Sequence, residues 1–310
     1  MQVIICSLQQ QQGTAAITLP YQNQTIIIMK NSNQKVWFIT GASKGLGLSL
    51  VKQLLKEGKK VAATSRSISE LQNAIGDDEN FLPLAMNLKD EANVDEAVEK
   101  TVTHFEQIDV VVNNAGYGLV GALEELTDEE SKENFEVNVY GTLNVIRKVL
   151  PYLRAQKSGH IFNISSIGGF TGAFPGFGIY CATKFAVQGL TESLATEVKD
   201  FGIKATVVFP GYFRTNFLDQ SSLNTPKVQL AEYESVRNVQ KAHEQEINGN
   251  QPGDPVKAAK AMIAIAEREL PLVHFFLGQD AYDLAYAKMK SVTIDLEDAK
   301  ELSIATGFSE

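Results

Sequence analysis

A tyrosine and a lysine at i and i+4, Tyr180 and Lys184, form a pair that can move a proton. On a helix, side chains at this spacing lie on one face. The pKa of a phenol is about 10, so it is a weak base at neutral pH, but a neighbouring ammonium group stabilises the phenolate and lowers that value. Tyr180 could therefore exchange a proton with a carbonyl or alcohol oxygen. The spacing alone is not diagnostic, because Tyr286 and Lys290 repeat it near the C-terminus.

A glycine-rich turn follows the first short apolar run and leads into a helical pattern. Its sequence is Thr40-Gly41-Ala42-Ser43-Lys44-Gly45-Leu46-Gly47. Glycines let the backbone turn sharply and approach a pyrophosphate, and the free N–H groups of a helix N-terminus favour an anion. Such a turn could be only a tight loop, but its place between a strand and a helix predicts a dinucleotide site.

The end of the second predicted strand indicates which dinucleotide binds. Proteins that bind NAD usually have an Asp or Glu there, which bonds the 2′-hydroxyl of the ribose. This chain has Thr64-Ser65-Arg66-Ser67 at that place, with no acid. Arg66 and Lys44 are placed to meet a 2′-phosphate, although most surface cations are only solvated charges. The two cations and the missing acid together predict NADP(H) as the cofactor.

Short β-branched runs alternate with longer amphipathic segments from Val36 onward, and these elements must position the chemistry. Runs that are apolar throughout, such as Val110–Val112, indicate strands buried on both faces, as in a parallel sheet between helices. We predict a single doubly wound α/β domain of the Rossmann type, with three α/β/α layers, over residues 34–300. The predicted strands are Val36–Thr40, Lys60–Ser65, Phe81–Met86, Val110–Asn113, His160–Ser165, Ala205–Phe209 and Leu272–Phe276. The predicted helices are Gly45–Lys56, Glu91–Phe105, Asp128–Leu153, Tyr180–Lys199 and Pro255–Glu267.

Both ends of the chain and one internal segment lack this alternation. Residues 1–28 are glutamine-rich and uncharged, and Met29 resembles an ordinary start. We therefore expect residues 1–33 to be a disordered tail or an upstream extension, because they lack the features of a secretory signal. Residues 301–310 are expected to form a second tail. Segment 213–254 is polar and turn-rich, with helical potential around Ala231–Glu246, and such long connections are often lids or binding segments.

Composition limits the classes of function. The chain has 28 basic and 37 acidic residues, a formal net charge of −9, which argues against a nucleic-acid binder. No apolar run approaches the ~18 residues that suggest a membrane span. Two cysteines, Cys6 and Cys181, do not suggest a disulfide framework and fit a reducing compartment. We expect a cytoplasmic protein with no nucleic-acid or membrane partner, and we predict no metal site.

Six short motifs follow one another along the chain. They are Thr40–Gly47, Asn113-Asn114-Ala115-Gly116, Val137-Asn138-Val139-Tyr140-Gly141, Asn163-Ile164-Ser165-Ser166, Tyr180–Lys184 and Pro210-Gly211. In this order they resemble the short-chain dehydrogenases/reductases over roughly residues 35–290. The stretches Gln251–Pro255 and Gly278–Tyr282 resemble a bacterial group often labelled steroid-dehydrogenase-like. Members of the family commonly pair through two long helices, here Asp128–Leu153 and Tyr180–Lys199, so the resemblance implies a homodimer or homotetramer.

The resemblance also assigns roles to individual residues. Tyr180 and Lys184 would act with Asn138, which holds a water in a proton relay, and with Ser166, which bonds the substrate oxygen. Ser165 stays an alternative to Ser166, because the interval from serine to tyrosine is one residue longer than in many members. Where many members carry an Asp beside the adenine, this chain has Asn87. The residues expected to bind the cofactor are Gly41, Ser43, Lys44, Gly45, Leu46, Gly47, Arg66, Asn87, Asn114, Ala115, Gly116, Tyr180, Lys184, Pro210, Gly211 and Thr215.

Aromatic residues near these motifs are candidates for the wall of a substrate pocket, although each could equally be a core residue. They are Tyr117, Phe174, Phe177, Tyr212, Phe213 and Phe217. Together they favour an apolar ketone, aldehyde or alcohol as the substrate. The sequence thus predicts an NADP(H)-dependent oxidoreductase that interconverts a carbonyl and an alcohol, with Tyr180 as proton donor and acceptor. The alternatives are an NAD(H)-dependent alcohol dehydrogenase of the same fold and a dinucleotide-sensing protein without catalysis. A nucleotide-sugar epimerase needs a larger substrate domain and ranks last, because two further strand–helix elements use much of the chain that remains after Phe209.

Overall fold

A seven-stranded parallel sheet forms the centre of the protein in this computed structural model, which describes residues 14–18, 25–29 and 34–308. The strands of the described residues are β1 (Thr14–Thr18), β2 (Thr25–Met29), β3 (Val36–Ile39), β4 (Lys60–Ser65), β5 (Phe81–Ala85), β6 (Val110–Asn113), β7 (Gly118–Leu119), β8 (Gly159–Ile164), β9 (Ile203–Pro210), β10 (Leu223–Asn224) and β11 (His274–Leu277). The order across the central sheet is β11-β9-β8-β6-β3-β4-β5, and all neighbours are parallel.

Helices cover both faces of this sheet. They are α1 (Gly45–Lys56), α2 (Ile68–Ile75), α3 (Glu91–Phe105), α4 (Asp128–Phe135), α5 (Gly141–Gln156), α6 (Gly178–Glu197), α7 (Glu234–Lys241), α8 (Pro255–Ala266), α9 (Gln279–Asp298) and α10 (Lys300–Ile304). π-helical turns at Glu136–Tyr140 and Ala242–Ile247 follow α4 and α7. None of the helices within the described ranges is long and apolar enough to cross a membrane.

Alternation along the strands builds one core on each face of the sheet. In β3, Val36 and Phe38 pack into the core under α3 and α5, whereas Trp37 and Ile39 pack into the core under α1 and α8. Successive side chains of a strand point to opposite faces, so a fully apolar strand needs cover on both sides. The predicted three-layer α/β fold is therefore confirmed.

Four short strands lie outside the central sheet. β1 and β2 form an antiparallel pair near the N-terminus, and β7 pairs in parallel with β10 of the 213–254 segment. The tail predicted for residues 1–33 includes β1 and β2, while the rest of that range lies outside the described residues. Most of the predicted tail 301–310 follows or belongs to α10, and residues 309 and 310 are also outside the described part. Both assignments stay predictions.

Several elements have bounds that differ from those expected. The helix predicted over Asp128–Leu153 is α4, a π turn and α5, because the backbone inserts a wider turn at Glu136–Tyr140. The last strand begins at His274 rather than Leu272, where its pairing with β9 starts. α2 was not predicted; Ser67 caps it by accepting a hydrogen bond from the Glu70 backbone nitrogen.

Candidate active site

A cleft of about 1540 Å³ opens at the carboxyl ends of the central strands. It is lined by the segments that follow β3, β4, β6, β8 and β9, and by the 213–254 segment, here named the lid. Ligands of open parallel sheets bind in this position, where loops from several strands converge. The cleft therefore brings together motifs that are far apart in the sequence.

Tyr180 lies in the first turn of α6 and is buried at the side of this cleft. The Ser166 side chain lies beside its phenol, and the Ser166 hydroxyl accepts from the Gly168 backbone nitrogen at 3.1 Å. Ser165 is turned away, and its hydroxyl donates to the Lys184 carbonyl oxygen at 2.8 Å. The structure thus brings Ser166 to Tyr180 and leaves Ser165 as a link between β8 and α6.

Lys184 lies one turn further along α6 and is also buried. Its ammonium group is 5.8 Å from the centroid of the Tyr180 ring and donates to the Ile164 carbonyl oxygen at 2.9 Å. Burial lowers the pKa of Lys184 to about 8. Burial also raises the pKa of Tyr180, and the neighbouring Ser166 hydroxyl opposes that rise only in part. We expected the lysine to lower the pKa of the phenol; desolvation is the larger effect, so Tyr180 holds its proton at neutral pH.

Asn138 sits in the π turn between α4 and α5 and does not itself line the cleft. Its amide nitrogen donates to the Tyr117 carbonyl oxygen and to the Thr183 hydroxyl, both at 3.1 Å, and its amide oxygen accepts from the Tyr117 nitrogen at 3.1 Å. The side chain therefore fastens the backbone after β6 to α6, beside Tyr180. π turns of this kind occur frequently at functional sites.

The glycine loop supplies the opposite end of the cleft. Gly41 and Gly45 have positive φ angles of 64° and 63°, a conformation that favours glycine. A Cβ on Gly41 would lie 2.6 Å from the Ala115 Cα, and one on Gly47 would lie 2.5 Å from the Asn114 amide nitrogen. Gly47 does not line the cleft and packs closely beneath the loop, and its cofactor role stays a prediction.

The glycine loop ends at the N-terminus of α1, where backbone N–H groups have no partner within the helix. Lys44 precedes the helix without a side-chain cap, and the first turn contains no acidic residue. The uncapped N–H groups and the helix dipole suit a pyrophosphate. Asn114 holds the loop in place by donating to the Thr40 and Gly41 carbonyl oxygens at 3.0 and 2.9 Å. The residues of this loop therefore fit a dinucleotide.

Two cations lie at the rim of the same region. Burial, and after it the charge of Arg66, lower the pKa of Lys44, while Glu70 and Asp219 act in the opposite direction. The Lys44 ammonium donates to the Ser221 carbonyl and hydroxyl oxygens of the lid at 3.1 and 2.8 Å. Two neighbouring cations form a site that an anion would stabilise. The remaining predicted cofactor residues, namely Ser43, Leu46, Asn87, Ala115, Gly116, Pro210, Gly211 and Thr215, all line the cleft.

The six predicted pocket residues, Tyr117, Phe174, Phe177, Tyr212, Phe213 and Phe217, also line the cleft. The ring centroids of Phe177 and Phe217 lie 6.2 and 5.9 Å from that of Tyr180. Sequence reasoning missed Ser221, His243 and Gln251, which line the cleft from the lid. Two sequence features pointed to these residues. Gln251 begins the Gln251–Pro255 stretch that resembles the family, and His243 lies in the segment Ala231–Glu246, which has helical potential.

Comparison with known proteins agrees with this arrangement. The family model described as short chain dehydrogenase matches residues 35–225. This chain belongs to the short-chain dehydrogenase family. It is an oxidoreductase by that membership, and its fold binds nucleotides in solved relatives.

Relatives match most of this short-chain dehydrogenase. It is 36% identical over 274 residues to oxidoreductase BOA17 of Botryotinia fuckeliana, covering 88% of this chain and 99% of the relative. It is 37% identical over 259 residues to a 3-ketodihydrosphingosine reductase of Bacteroides thetaiotaomicron, covering 83% and 92%. A short-chain dehydrogenase structure from Streptomyces avermitilis is 34% identical, with a TM-score of 0.82, covering 90% and 100%.

Solved short-chain dehydrogenases with similar folds hold either cofactor. A 3-ketoacyl-(acyl-carrier-protein) reductase from Brucella melitensis, 25% identical with a TM-score of 0.65, was solved with NADH; the match covers 78% and 96%. The protein ElxO, 29% identical with a TM-score of 0.64, was solved with NADP; the match covers 79% and 96%. These structures show that the fold binds nicotinamide dinucleotides, but they do not indicate whether this chain prefers NAD(H) or NADP(H).

Proposed function

We propose that this enzyme reduces an apolar ketone or aldehyde with NADPH and catalyses the reverse reaction with NADP⁺. The observation that carries the proposal is the grouping of Ser166, Tyr180 and Lys184 in one cleft with the glycine loop. A carbonyl oxygen placed between Ser166 and Tyr180 would meet two hydroxyl groups. Such donors stabilise the negative charge that develops on oxygen as a carbonyl is reduced.

The side chains divide the proton chemistry between them. The cofactor, when bound, supplies or removes the hydride. Tyr180, whose raised pKa keeps it protonated, donates its proton to the substrate oxygen, and Ser166 orients that oxygen. Lys184 stabilises the phenolate that results, because its ammonium group lies 5.8 Å from the centroid of the ring. Asn138 positions Tyr117 and α6 around this group, and its place in the π turn fits the proposed relay of protons to solvent.

The preference for NADP(H) is supported by charge at the end of β4. Arg66 lines the cleft there, and its charge acts on Lys44 of the glycine loop. A 2′-phosphate carries negative charge that NAD lacks, and a guanidinium binds it with parallel hydrogen bonds. Because Lys44 already donates to the lid residue Ser221, we assign the larger share of this selectivity to Arg66.

The apolar substrate is supported by the aromatic wall around Tyr180. Phe177 and Phe217 contact its ring, and Phe174 packs in the same cluster. One relative, by its name, reduces a ketone, 3-ketodihydrosphingosine. We further propose that the protein is a homo-oligomer. We place it in the cytoplasm, where a reduced NADPH pool would supply the hydride.

Fluorescence titration with NADPH and NADH tests the cofactor assignment. We expect NADH to bind at least tenfold more weakly than NADPH, and Arg66→Asp to remove that difference. Arg154→Asp, the same change of charge on the exposed surface of α5, is the matched control and should keep it. Equal or tighter NADH binding by the unchanged protein would favour an NAD(H)-dependent alcohol dehydrogenase. Binding without turnover of any carbonyl or alcohol would favour a dinucleotide sensor.

A further inference from the structure

Tyr212 and His243 form a hydrogen-bonded pair in the cleft that the proposed mechanism does not use. The Tyr212 hydroxyl lies 2.9 Å from His243 Nε2, and His243 Nδ1 lies 2.8 Å from the Val239 carbonyl oxygen. A carbonyl oxygen only accepts, so Nδ1 carries the proton and, in the neutral ring, Nε2 accepts from the tyrosine. The Tyr212 proton is therefore committed to His243, and the phenol oxygen is left as an acceptor.

Gln251 lines the same cleft with an amide that has no partner. The side chain is 1% exposed, and neither its nitrogen nor its oxygen has a hydrogen-bond partner among the described residues. Only the backbone is engaged, because the Gln251 carbonyl oxygen accepts from the Arg214 guanidinium at 3.1 and 3.3 Å. Buried polar groups in native proteins nearly always have partners, so an orphaned amide in a binding cleft points to a ligand.

The backbone keeps these groups on neighbouring segments. The Gly253 nitrogen donates to the Tyr212 carbonyl oxygen, and the Arg214 nitrogen donates to the Gly253 carbonyl oxygen, both at 2.9 Å. Segment 212–214, which continues β9, is thereby paired with segment 251–253 at the end of the lid. Tyr212 is also close enough to Tyr180 for a phenolate charge on it to raise the pKa of Tyr180. Tyr212 and Gln251 thus lie on paired segments that line the cleft, and Tyr212 lies near Tyr180.

We propose that Tyr212, held by His243, and Gln251 form a polar subsite that binds a hydroxyl group of the substrate. This subsite names the substrate class of the proposed reductase and rests on that proposed function. It offers an acceptor at Tyr212 and both a donor and an acceptor at Gln251, but no formal charge. A hydroxyl group donates and accepts and so matches this set. A carboxylate would lack a cation there, since the exposed Arg214 of this segment does not line the cleft.

The rest of the wall restricts the substrate further. Phe174, Phe177, Phe217 and Leu218 line the cleft around the subsite. The substrate class is therefore a hydroxy ketone or hydroxy aldehyde whose remaining carbon atoms are all apolar. A site built to bond a hydroxyl rejects the analogue without it, because its buried polar groups are then left unpaired.

Matched substrates test the subsite. The probes are 2-decanone and its 4-, 6-, 8- and 10-hydroxy derivatives, reduced with NADPH or with whichever cofactor the protein binds. We expect at least one hydroxy ketone to exceed 2-decanone at least tenfold in kcat/KM, and the preferred position reports the spacing between the subsite and Tyr180. Calorimetric binding of the same compounds to the protein saturated with NADP⁺ gives the same comparison independently of turnover.

Two variants locate the preference. Tyr212→Phe and Gln251→Leu should each reduce the ratio of hydroxy ketone to 2-decanone to within about threefold of one. Tyr286→Phe, on the exposed face of α9, is the control and should keep the full ratio. Gln251→Leu should also raise the Tm of the ligand-free protein by about 2 °C, since it removes an unpaired buried amide. If Gln251 served only to stabilise the fold, Gln251→Leu would not raise the Tm and at the same time lower the ratio of hydroxy ketone to 2-decanone.

The outcomes separate the two proposals. Reduction of 2-decanone with no hydroxy ketone preferred, or a preference that survives both variants, would overturn the subsite and leave the reductase standing. Absence of turnover with every probe would overturn the reductase. In that case, equal binding of all five compounds would overturn the subsite too, and tighter binding of a hydroxy ketone that Tyr212→Phe abolishes would support it.

Discussion

Tyr180 and Lys184 are both buried, and burial moves the two pKa values in opposite directions. The pKa of Tyr180 rises and that of Lys184 falls to about 8, because desolvation disfavours the phenolate and the ammonium ion alike. The pair is thus not a resting ion pair. It suits a site in which charge on the phenol appears only while a proton is being transferred.

The reductive reaction should lose rate as the pH rises through about 8. Lys184 is an ammonium ion below that value and neutral above it, and only the ammonium ion stabilises the phenolate that forms when Tyr180 gives up its proton. We expect kcat/KM for carbonyl reduction to be constant below pH 7 and to fall about tenfold per unit well above 8. Lys184→Arg, which stays charged, should move the fall to higher pH, whereas Lys290→Arg in the second tyrosine–lysine pair should not. A profile that stays flat to pH 10 would contradict the role given to Lys184.

Residue types could be predicted from the sequence, but their partners could not. The six ordered motifs indicated Tyr180 and Lys184, yet left Ser165 and Ser166 as alternatives. Adjacent residues of an extended segment point to opposite sides, so only the fold shows that Ser165 faces Lys184 and Ser166 faces Tyr180. The direction of the shift in the pKa of Tyr180 was also missed, because burial depends on tertiary packing.

The lid is anchored by a buried carboxylate in the loop before α4. The Glu125 side chain is fully buried; it accepts from the Ala122 and Leu230 nitrogens at 2.7 and 2.8 Å and forms an ion pair with Arg237 of α7 at 2.5 Å. A buried carboxylate that loses its cation is strongly destabilised, because the charge cannot return to water. The lid is therefore attached to Glu125 by the Leu230 backbone hydrogen bond and by the Arg237 ion pair.

Removal of the Arg237 side chain should loosen the lid. For Arg237→Ala we expect a free energy of unfolding lower by about 2 kcal/mol, less than for a fully buried pair because Arg237 is 24% exposed. Limited proteolysis should cut within 213–254 at least tenfold faster, and KM for the carbonyl substrate should rise. Lys132→Ala, which breaks an exposed pair with Asp128 in α4, is the control and should leave all three quantities nearly unchanged. Unchanged proteolysis of Arg237→Ala would show that other contacts hold the lid.

Elements with strong local signals were predicted well. α1, α3, β4 and β6 have the bounds that periodicity indicated, because each has an amphipathic or fully apolar pattern. The π turn that divides the helix predicted over Asp128–Leu153 has no such signal. It depends on the contacts of Asn138 with Tyr117 and Thr183, which come from other parts of the chain.

On the scale of the whole molecule, the two long helices after β6 and β8 expose aromatic side chains. Phe185 on α6 is 40% exposed, and Tyr140, at the end of the π turn before α5, is 51% exposed. Large exposed apolar side chains can contribute to a site of association. They lie on the helices through which we expect copies of the chain to pair.

A charge on this surface should dissociate the oligomer. For the unchanged protein we expect the mass of a dimer or tetramer in size-exclusion chromatography with light scattering, and for Phe185→Glu a smaller species at the same concentration. A buried charge without a partner disfavours an interface, which is the reason for this expectation. Leu302→Glu, on the exposed surface of α10, is the control. If Leu302→Glu dissociates the protein and Phe185→Glu does not, the pairing is through the C-terminal helices instead.

The number of residues in the π turn at Glu136–Tyr140 matters for the active site, because it sets the direction of Asn138. A π turn holds one residue more than the α-helical turn it replaces, so deletion of a single residue there would let a continuous α-helix form. The residues on the two sides would keep their orientation, because a π turn accommodates its extra residue within one turn, but the residues inside the turn would change direction. Asn138 would leave Tyr117 and Thr183 although no side chain had been substituted. A one-residue gap at this place in a homologue therefore indicates a changed active site even where all the motif residues are present.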